Sequence, residues 1–134
     1  MKSRGSLTRL HKFQVDEKRR QVVQIETMID DFKRMIEDLD AQIVNEQDRV
    51  GIHDVGHFAY PTFAKAAMTR RDNLRESLTG LDAQLAAARA TLAEAFEELK
   101  KVELLEDRDS DRVAKEAAKI EQDELDDIAS KMVG

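Results

Sequence analysis

The chain has 134 residues, with 22 basic and 28 acidic side chains and a net charge of −6, which argues against a general nucleic-acid binder. Aromatic residues make up only 4% and charged residues 37%. This composition leaves few large side chains for a globular core and is typical of long helices. The absence of cysteine excludes disulfides and thiolate metal sites. No apolar run reaches the roughly 18 residues that span a bilayer, and we read no signal peptide in the first residues.

The first predicted helix runs from about residue 7 to about residue 49. Its apolar positions follow one coiled-coil register, with polar breaks at Lys18 and Glu46. The positions that share this register are Val15, Val22, Ile25, Ile29, Phe32, Ile36, Leu39, Ile43 and Val50.

Residues 51–61 form the predicted loop, because two glycines, an aspartate and the only proline cluster there. Three of the six aromatic residues also lie at this point: Phe58, Tyr60 and Phe63. They either fold over the end of the helix pair or form a docking tip for a partner.

The second predicted helix runs from about residue 62 to about residue 130 and contains the most regular seam. Its apolar gaps alternate strictly between four and three residues. The seam positions are Leu74, Leu78, Leu81, Leu85, Ala88, Leu92, Ala95, Leu99 and Val102.

These two helices predict an all-α fold: one coiled-coil domain over residues 1–134, folded as an antiparallel hairpin whose second helix is the longer. If the numbers of facing residues add to about 110, each apolar a position of one heptad repeat faces an apolar d position of the other helix. This alignment also leaves a loop of suitable length between the helices. Arg71 opposite Leu39 and Lys18 opposite Leu92 are the weak layers.

Residues 106–134 are predicted to be an unpaired acidic tail. After a run without apolar residues, a second amphipathic stripe follows. A stripe without an internal partner should bind another molecule or stay partly disordered. The stripe consists of Val113, Ala117, Ile120, Leu125, Ile128 and Met132.

No residue pattern indicates an enzyme. Gly51 and Gly56 have the spacing of a phosphate-binding loop, but His57 and Phe58 stand where lysine and serine or threonine belong. His53 and His57 in a glycine-containing loop are more simply solvated than metal-bound. We therefore expect no catalytic residue, no metal and no cofactor.

With these residues placed, the chain resembles the FliJ family of flagellar export proteins, in its alphaproteobacterial branch. The resemblance rests on three segments: SLTRLHKFQVDEKRRQ, HFAYPTFAKAA and FEELKKVELLEDR. It implies a non-enzymatic stalk of the bacterial flagellar type III export apparatus. Its implied partners are the export ATPase ring, the cytoplasmic domain of the export gate and export chaperones. Neither nucleic acid nor a small-molecule substrate is expected, and the implied location is the cytoplasmic face of the inner membrane.

The resemblance also implies a gate-contact surface near the loop. The matching positions are Phe32, Ile36, Leu39, Ile43, Tyr60, Phe63, Ala67 and Leu74. Several of them are also seam positions, so core packing and partner contact compete. Two other readings stay open: a generic oligomeric coiled-coil scaffold, and the equivalent stalk of a virulence secretion system.

Overall fold

The computed structural model describes residues 2–133, and the side chains of residues 5–133. Over that range it contains two α-helices and no strand: α1 spans Lys2–Val50 and α2 spans Thr62–Val133. The predicted all-α hairpin with a longer second helix is therefore confirmed. Both helices extend slightly past their predicted outer ends.

The chain divides into two compact units. The turn unit is Glu17–Leu92, and the terminal unit combines Met1–Asp16 with Ala93–Gly134. Met1 and Gly134 lie outside the described residues. The grouping of the whole chain into one domain stays a prediction.

Polar contacts of α1 with the loop and with α2 establish the antiparallel direction of the turn unit. Gln47 donates to the Tyr60 hydroxyl at 2.8 Å, close to the loop. Farther from the loop, Arg71 pairs with Asp40 at 3.1 Å and Arg89 with Glu26 at 3.8 Å. Residue numbers rise along one helix as they fall along the other, near the predicted register.

Of the eighteen predicted seam residues, all but Val50 lie buried or half-buried, and Val50 is 37% exposed. Seven are buried (Val15, Val22, Ile29, Leu39, Ile43, Leu81 and Val102), and ten are half-buried (Ile25, Phe32, Ile36, Leu74, Leu78, Leu85, Ala88, Leu92, Ala95 and Leu99). Among the described residues, no large side chain is fully buried. Two helices cover each other along one stripe only, so every large seam side chain keeps a solvent-facing edge.

The best-covered core lies beside the loop. Leu39, Ile43 and Ala67 form a buried cluster, against which Met68 and Leu74 pack. The side chain of Ala64 is completely covered. Small residues at these α2 positions let the helices approach closely.

Polar residues take over part of the seam in the terminal unit. Thr8 is buried and His11 half-buried, whereas the apolar Leu10 and Phe13 are exposed. Val15 and Val102 are the buried apolar residues of this unit. From Ser110 to Val133 every residue of α2 is exposed, so close packing stops at Asp109.

A left-handed glycine ends α1. Gly51 has φ 79° and donates its N–H to the Gln47 carbonyl at 2.8 Å, which closes the last turn. The Pro61 carbonyl accepts from Lys65 N–H at 3.1 Å and so begins α2. Both contacts follow from local chemistry, since glycine tolerates positive φ and proline has no N–H to satisfy.

Two carboxylates hydrogen-bond the arginine in the weak layer at Arg71. Its guanidinium donates to Asp40 of α1 at 3.1 Å and to the adjacent Asp72 at 3.2 Å, and its side chain is only 17% exposed. These hydrogen bonds, that to Asp40 above all, raise the arginine pKa. The charge thereby stays at a seam position and is tied to one partner across the interface.

Replacing a buried seam residue with a charge should open the hairpin. We expect Ile29→Asp to lower the free energy of unfolding by roughly 3 kcal/mol or more, because the side chain is 6% exposed and no cation faces it in the predicted register. Urea unfolding followed by circular dichroism measures this. Met28→Asp, one residue away and 45% exposed, is the matched control and should cost far less. Equal losses would contradict the pairing.

Removing the partner of Arg71 should weaken the turn unit moderately. We expect Asp40→Ala to cost about 1 kcal/mol of unfolding free energy, because the charge-assisted bond is lost but Asp40 is itself 44% exposed. Glu37→Ala, at an exposed position of the same helix, should change stability by less than about 0.5 kcal/mol. Denaturant midpoints that coincide for the two variants would show that the inter-helix bond contributes nothing.

Candidate interaction surfaces

The residues matched to the gate contact do not share one exposed surface. Four are buried: Leu39, Ile43, Tyr60 and Ala67. Three are half-buried: Phe32, Ile36 and Leu74. Phe63 alone among them is exposed, at 55%. The contact role stays a prediction, but as the hairpin stands, Phe63 is the member that offers a partner most of its side chain.

The three aromatic residues near the loop divide into two roles. Tyr60 is 6% exposed, accepts from Gln47 and lies 3.6 Å from the Met68 sulfur, so it covers the end of the seam. Phe58 is 96% exposed, and Phe63 also keeps more than half of its side chain in solvent. Tyr60 thus folds over the end of the helix pair, whereas a docking role for the exposed Phe58 and Phe63 stays a prediction.

Phe58 is held in place although solvent surrounds it. Its ring stacks on the His57 ring with centroids 4.7 Å apart. His57 is itself fixed, because its Nδ1 accepts from the Ala59 N–H at 3.0 Å and its backbone N–H donates to the Asp54 carbonyl. The Asp54 carboxylate also accepts the Gly56 N–H at 3.0 Å. An exposed aromatic side chain that would lose little conformational entropy on binding is the kind of residue that anchors a protein interface.

Polar side chains that flank this tip contact one another in pairs. His53 lies 2.9 Å from Asp48, and Arg49 pairs with Glu46. The hydrogen bond from Arg49 lowers the Glu46 pKa, and the same bond raises the arginine pKa. The tip therefore presents two exposed aromatic side chains, Phe58 and Phe63, near these polar pairs.

A shallow groove of about 420 Å³ lies farther along the turn unit. Its lining mixes apolar and polar side chains from both helices: Met35, Asp38, Leu39, Gln42, Arg70, Asn73, Leu74 and Ser77. The groove offers a place for a partner side chain.

The second exposed surface is the amphipathic face of residues 110–133, in the terminal unit. Its large apolar side chains are between 49% and 82% exposed: Val113, Ile120, Leu125, Ile128 and Met132. Seven acidic residues stand against four basic ones between Asp111 and Lys131. An apolar stripe with acidic flanks is thus available to a partner.

No cluster of three potential metal ligands occurs among residues 5–133. Neither described helix has a stretch long and apolar enough to cross a membrane.

Several features of the structure were not predicted from the sequence. Ala64 continues the seam spacing from Tyr60 to Ala67, so spacing could have revealed it. Thr8 lies three residues before His11, in the register of the α1 seam. Because threonine carries a hydroxyl, a search for apolar residues does not select it as a seam position. The bond from Gln47 to Tyr60 depends on how the loop closes, and no spacing rule predicts it.

The comparisons with known proteins bear on these surfaces. The family model described as flagellar FliJ protein matches residues 5–134, nearly the whole chain. Comparison with curated proteins and with solved structures gave no match. A family match over this span, on a hairpin of the predicted kind, means that the chain belongs to the flagellar FliJ protein family and is a flagellar export-associated protein.

Proposed function

We propose that this chain is a non-enzymatic component of the flagellar type III export apparatus that acts as a stalk. It binds the export ATPase, the cytoplasmic domain of the export gate and export chaperones. These contacts hold it at the cytoplasmic face of the inner membrane. Family membership is the observation that carries the proposal.

The distribution of exposed apolar surface supports two separate contacts. One is the tip with Phe58 and Phe63, in the turn unit, and the other is the stripe of residues 110–133, in the terminal unit. We assign the tip to the export gate and the terminal unit to the ATPase ring. A protein that connects two partners needs such separate surfaces and no reaction of its own.

The scaffold alternative has less support. An opened helix would have to abandon contacts that one chain already makes within itself, including Arg71 with Asp40 and Gln47 with Tyr60. The glycine-capped end of α1 also favours a closed turn. The flagellar description of the matching family favours a flagellar over a virulence system.

The ATPase contact is tested by ATP turnover of the export ATPase from the same bacterium. We expect the full chain to stimulate turnover, and a chain ending at Asp109 to stimulate it much less. Truncation there removes only the exposed residues and keeps the packed part of the terminal unit. Circular dichroism of the truncated chain checks that the hairpin persists. Equal stimulation by both chains would place the contact elsewhere, and no stimulation by either would count against the stalk.

The tip contact is tested with single aromatic substitutions. We expect Phe58→Ala and Phe63→Ala each to weaken binding to the cytoplasmic domain of the gate by about tenfold or more, as loss of an interface anchor does. Phe13→Ala is the control, because Phe13 is 58% exposed but lies in the terminal unit. Thermal melting should stay close to wild type in all three variants. A parallel loss of stability and binding would make the tip residues structural.

A further inference from the structure

Three apolar side chains near the start of α1 lie outside the seam. Leu7, Leu10 and Phe13 are 41%, 50% and 58% exposed. Thr8 and Val15 of the same helix are buried, so the seam lies on another face. Residues three apart on an α-helix lie about 60° apart around its axis, so the three apolar residues share one arc of about 120°. We call them the outer stripe, an apolar surface that the pairing of α1 with α2 leaves open to solvent.

Positive charge borders the outer stripe on one side. The first four charged residues of the chain are all basic: Lys2, Arg4, Arg9 and Lys12. Arg9 lies four residues before Phe13 and therefore about 40° from it around the helix, and Lys12 lies about 60° farther from the stripe. Arg9 and Lys12 are exposed, and neither forms a hydrogen bond or an ion pair with another residue of the described range 5–133. We call these two residues the basic edge.

The positive charge at this end of α1 opposes the dipole of the helix. The N–H groups at a helix N-terminus already carry partial positive charge, and cations near them lower the stability of the helix. Lys2 and Arg4 stand in the first turn, which has no acidic residue. No acidic residue lies within one turn of Arg9 on either side. An anionic surface beside this end of α1 would therefore offset charge that the helix itself does not compensate.

We propose that the outer stripe and the basic edge bind the surface of an anionic lipid bilayer. Leu10 and Phe13 enter the boundary between headgroups and acyl chains, as the apolar face of an interfacial helix does. Arg9 and Lys12 contact lipid phosphates, and their long stems let the charges stay at headgroup level. A bilayer suits the convex outer face of a helix, because lipids rearrange around inserted side chains and no groove is needed.

Repulsion elsewhere on the chain restricts the contact to this end of α1. The whole chain carries a net charge of −6, although its first four charged residues are basic. An anionic bilayer therefore attracts the basic edge and repels the acidic remainder. A short apolar stripe with few charges gives weak, reversible attachment rather than a permanent anchor. This lipid contact goes beyond the stalk function and does not rest on it, because no export component takes part.

The test is flotation of the full chain with vesicles that contain equal parts of phosphatidylglycerol and phosphatidylcholine. We expect binding at about 50 mM salt and its loss at about 500 mM salt, because salt screens the charges. Vesicles of phosphatidylcholine alone should not bind the chain. Phe13→Ala should weaken binding by about tenfold, because an inserted aromatic ring is lost. Phe58→Ala is the control, since Phe58 is 96% exposed but lies in the turn unit; it should bind like wild type.

Two double variants with the same change in net charge test the basic edge. Arg9→Glu with Lys12→Glu, and Arg112→Glu with Lys115→Glu, replace the same residue types at the same spacing on exposed positions of the terminal unit. The first should weaken vesicle binding at least about twentyfold, because each basic residue near an anionic membrane contributes roughly fivefold. The second should bind nearly like wild type. Glutamate is as good a helix former as arginine or lysine, and circular dichroism checks that the helices persist.

Three results would overturn the proposal. The first is a wild-type chain that does not float with the mixed vesicles at low salt. The second is an equal loss of binding in both double variants, which would mean that net charge alone governs the contact. The third is binding to soluble polyglutamate as tight as binding to the vesicles, with Phe13→Ala changing neither, which would indicate an acidic protein as the partner.

Discussion

The structure depends on a single narrow seam between two helices. Its positions recur at alternating gaps of three and four residues, which keeps one stripe of each helix facing the other. Because only one neighbour is available, no large side chain among the described residues is fully buried. Stability must therefore come from many half-covered layers rather than from a compact centre. The cluster of Leu39, Ile43 and Ala67 next to the loop is the densest part of that seam.

A narrow seam also decides what surface the protein can offer. Of the residues matched to the gate contact, four are buried in the pairing, three are half-buried and Phe63 is exposed. The loop presents Phe58 and Phe63, and beyond Asp109 the second helix presents its stripe. Apolar side chains such as Phe13 and Met28 are also exposed along the paired helices.

Polar residues within the seam contribute specificity. An arginine is unfavourable at an apolar seam position unless its charge is paired. At Arg71, Asp40 and Asp72 accept the hydrogen bonds of the guanidinium. A slipped register would break the bond to Asp40 across the interface, and only the neighbouring Asp72 would still accept from this guanidinium. Gln47 and Tyr60 make a comparable pair at the loop. Together they favour one alignment among the several that a repeating seam permits.

The sequence by itself determined the helices, their approximate ends, the loop and the antiparallel fold-back. A heptad pattern does this because it specifies, over many residues, which stripe of each helix faces the other. It also pointed to the FliJ family through the segment around Tyr60 and Phe63. Which of the three loop aromatics is buried was decided only by the tertiary structure, since that depends on how the backbone turns between Gly51 and Pro61. The partner of Arg71 and the burial of Thr8 were decided there too. Such contacts join residues far apart in the chain, and no local periodicity records them.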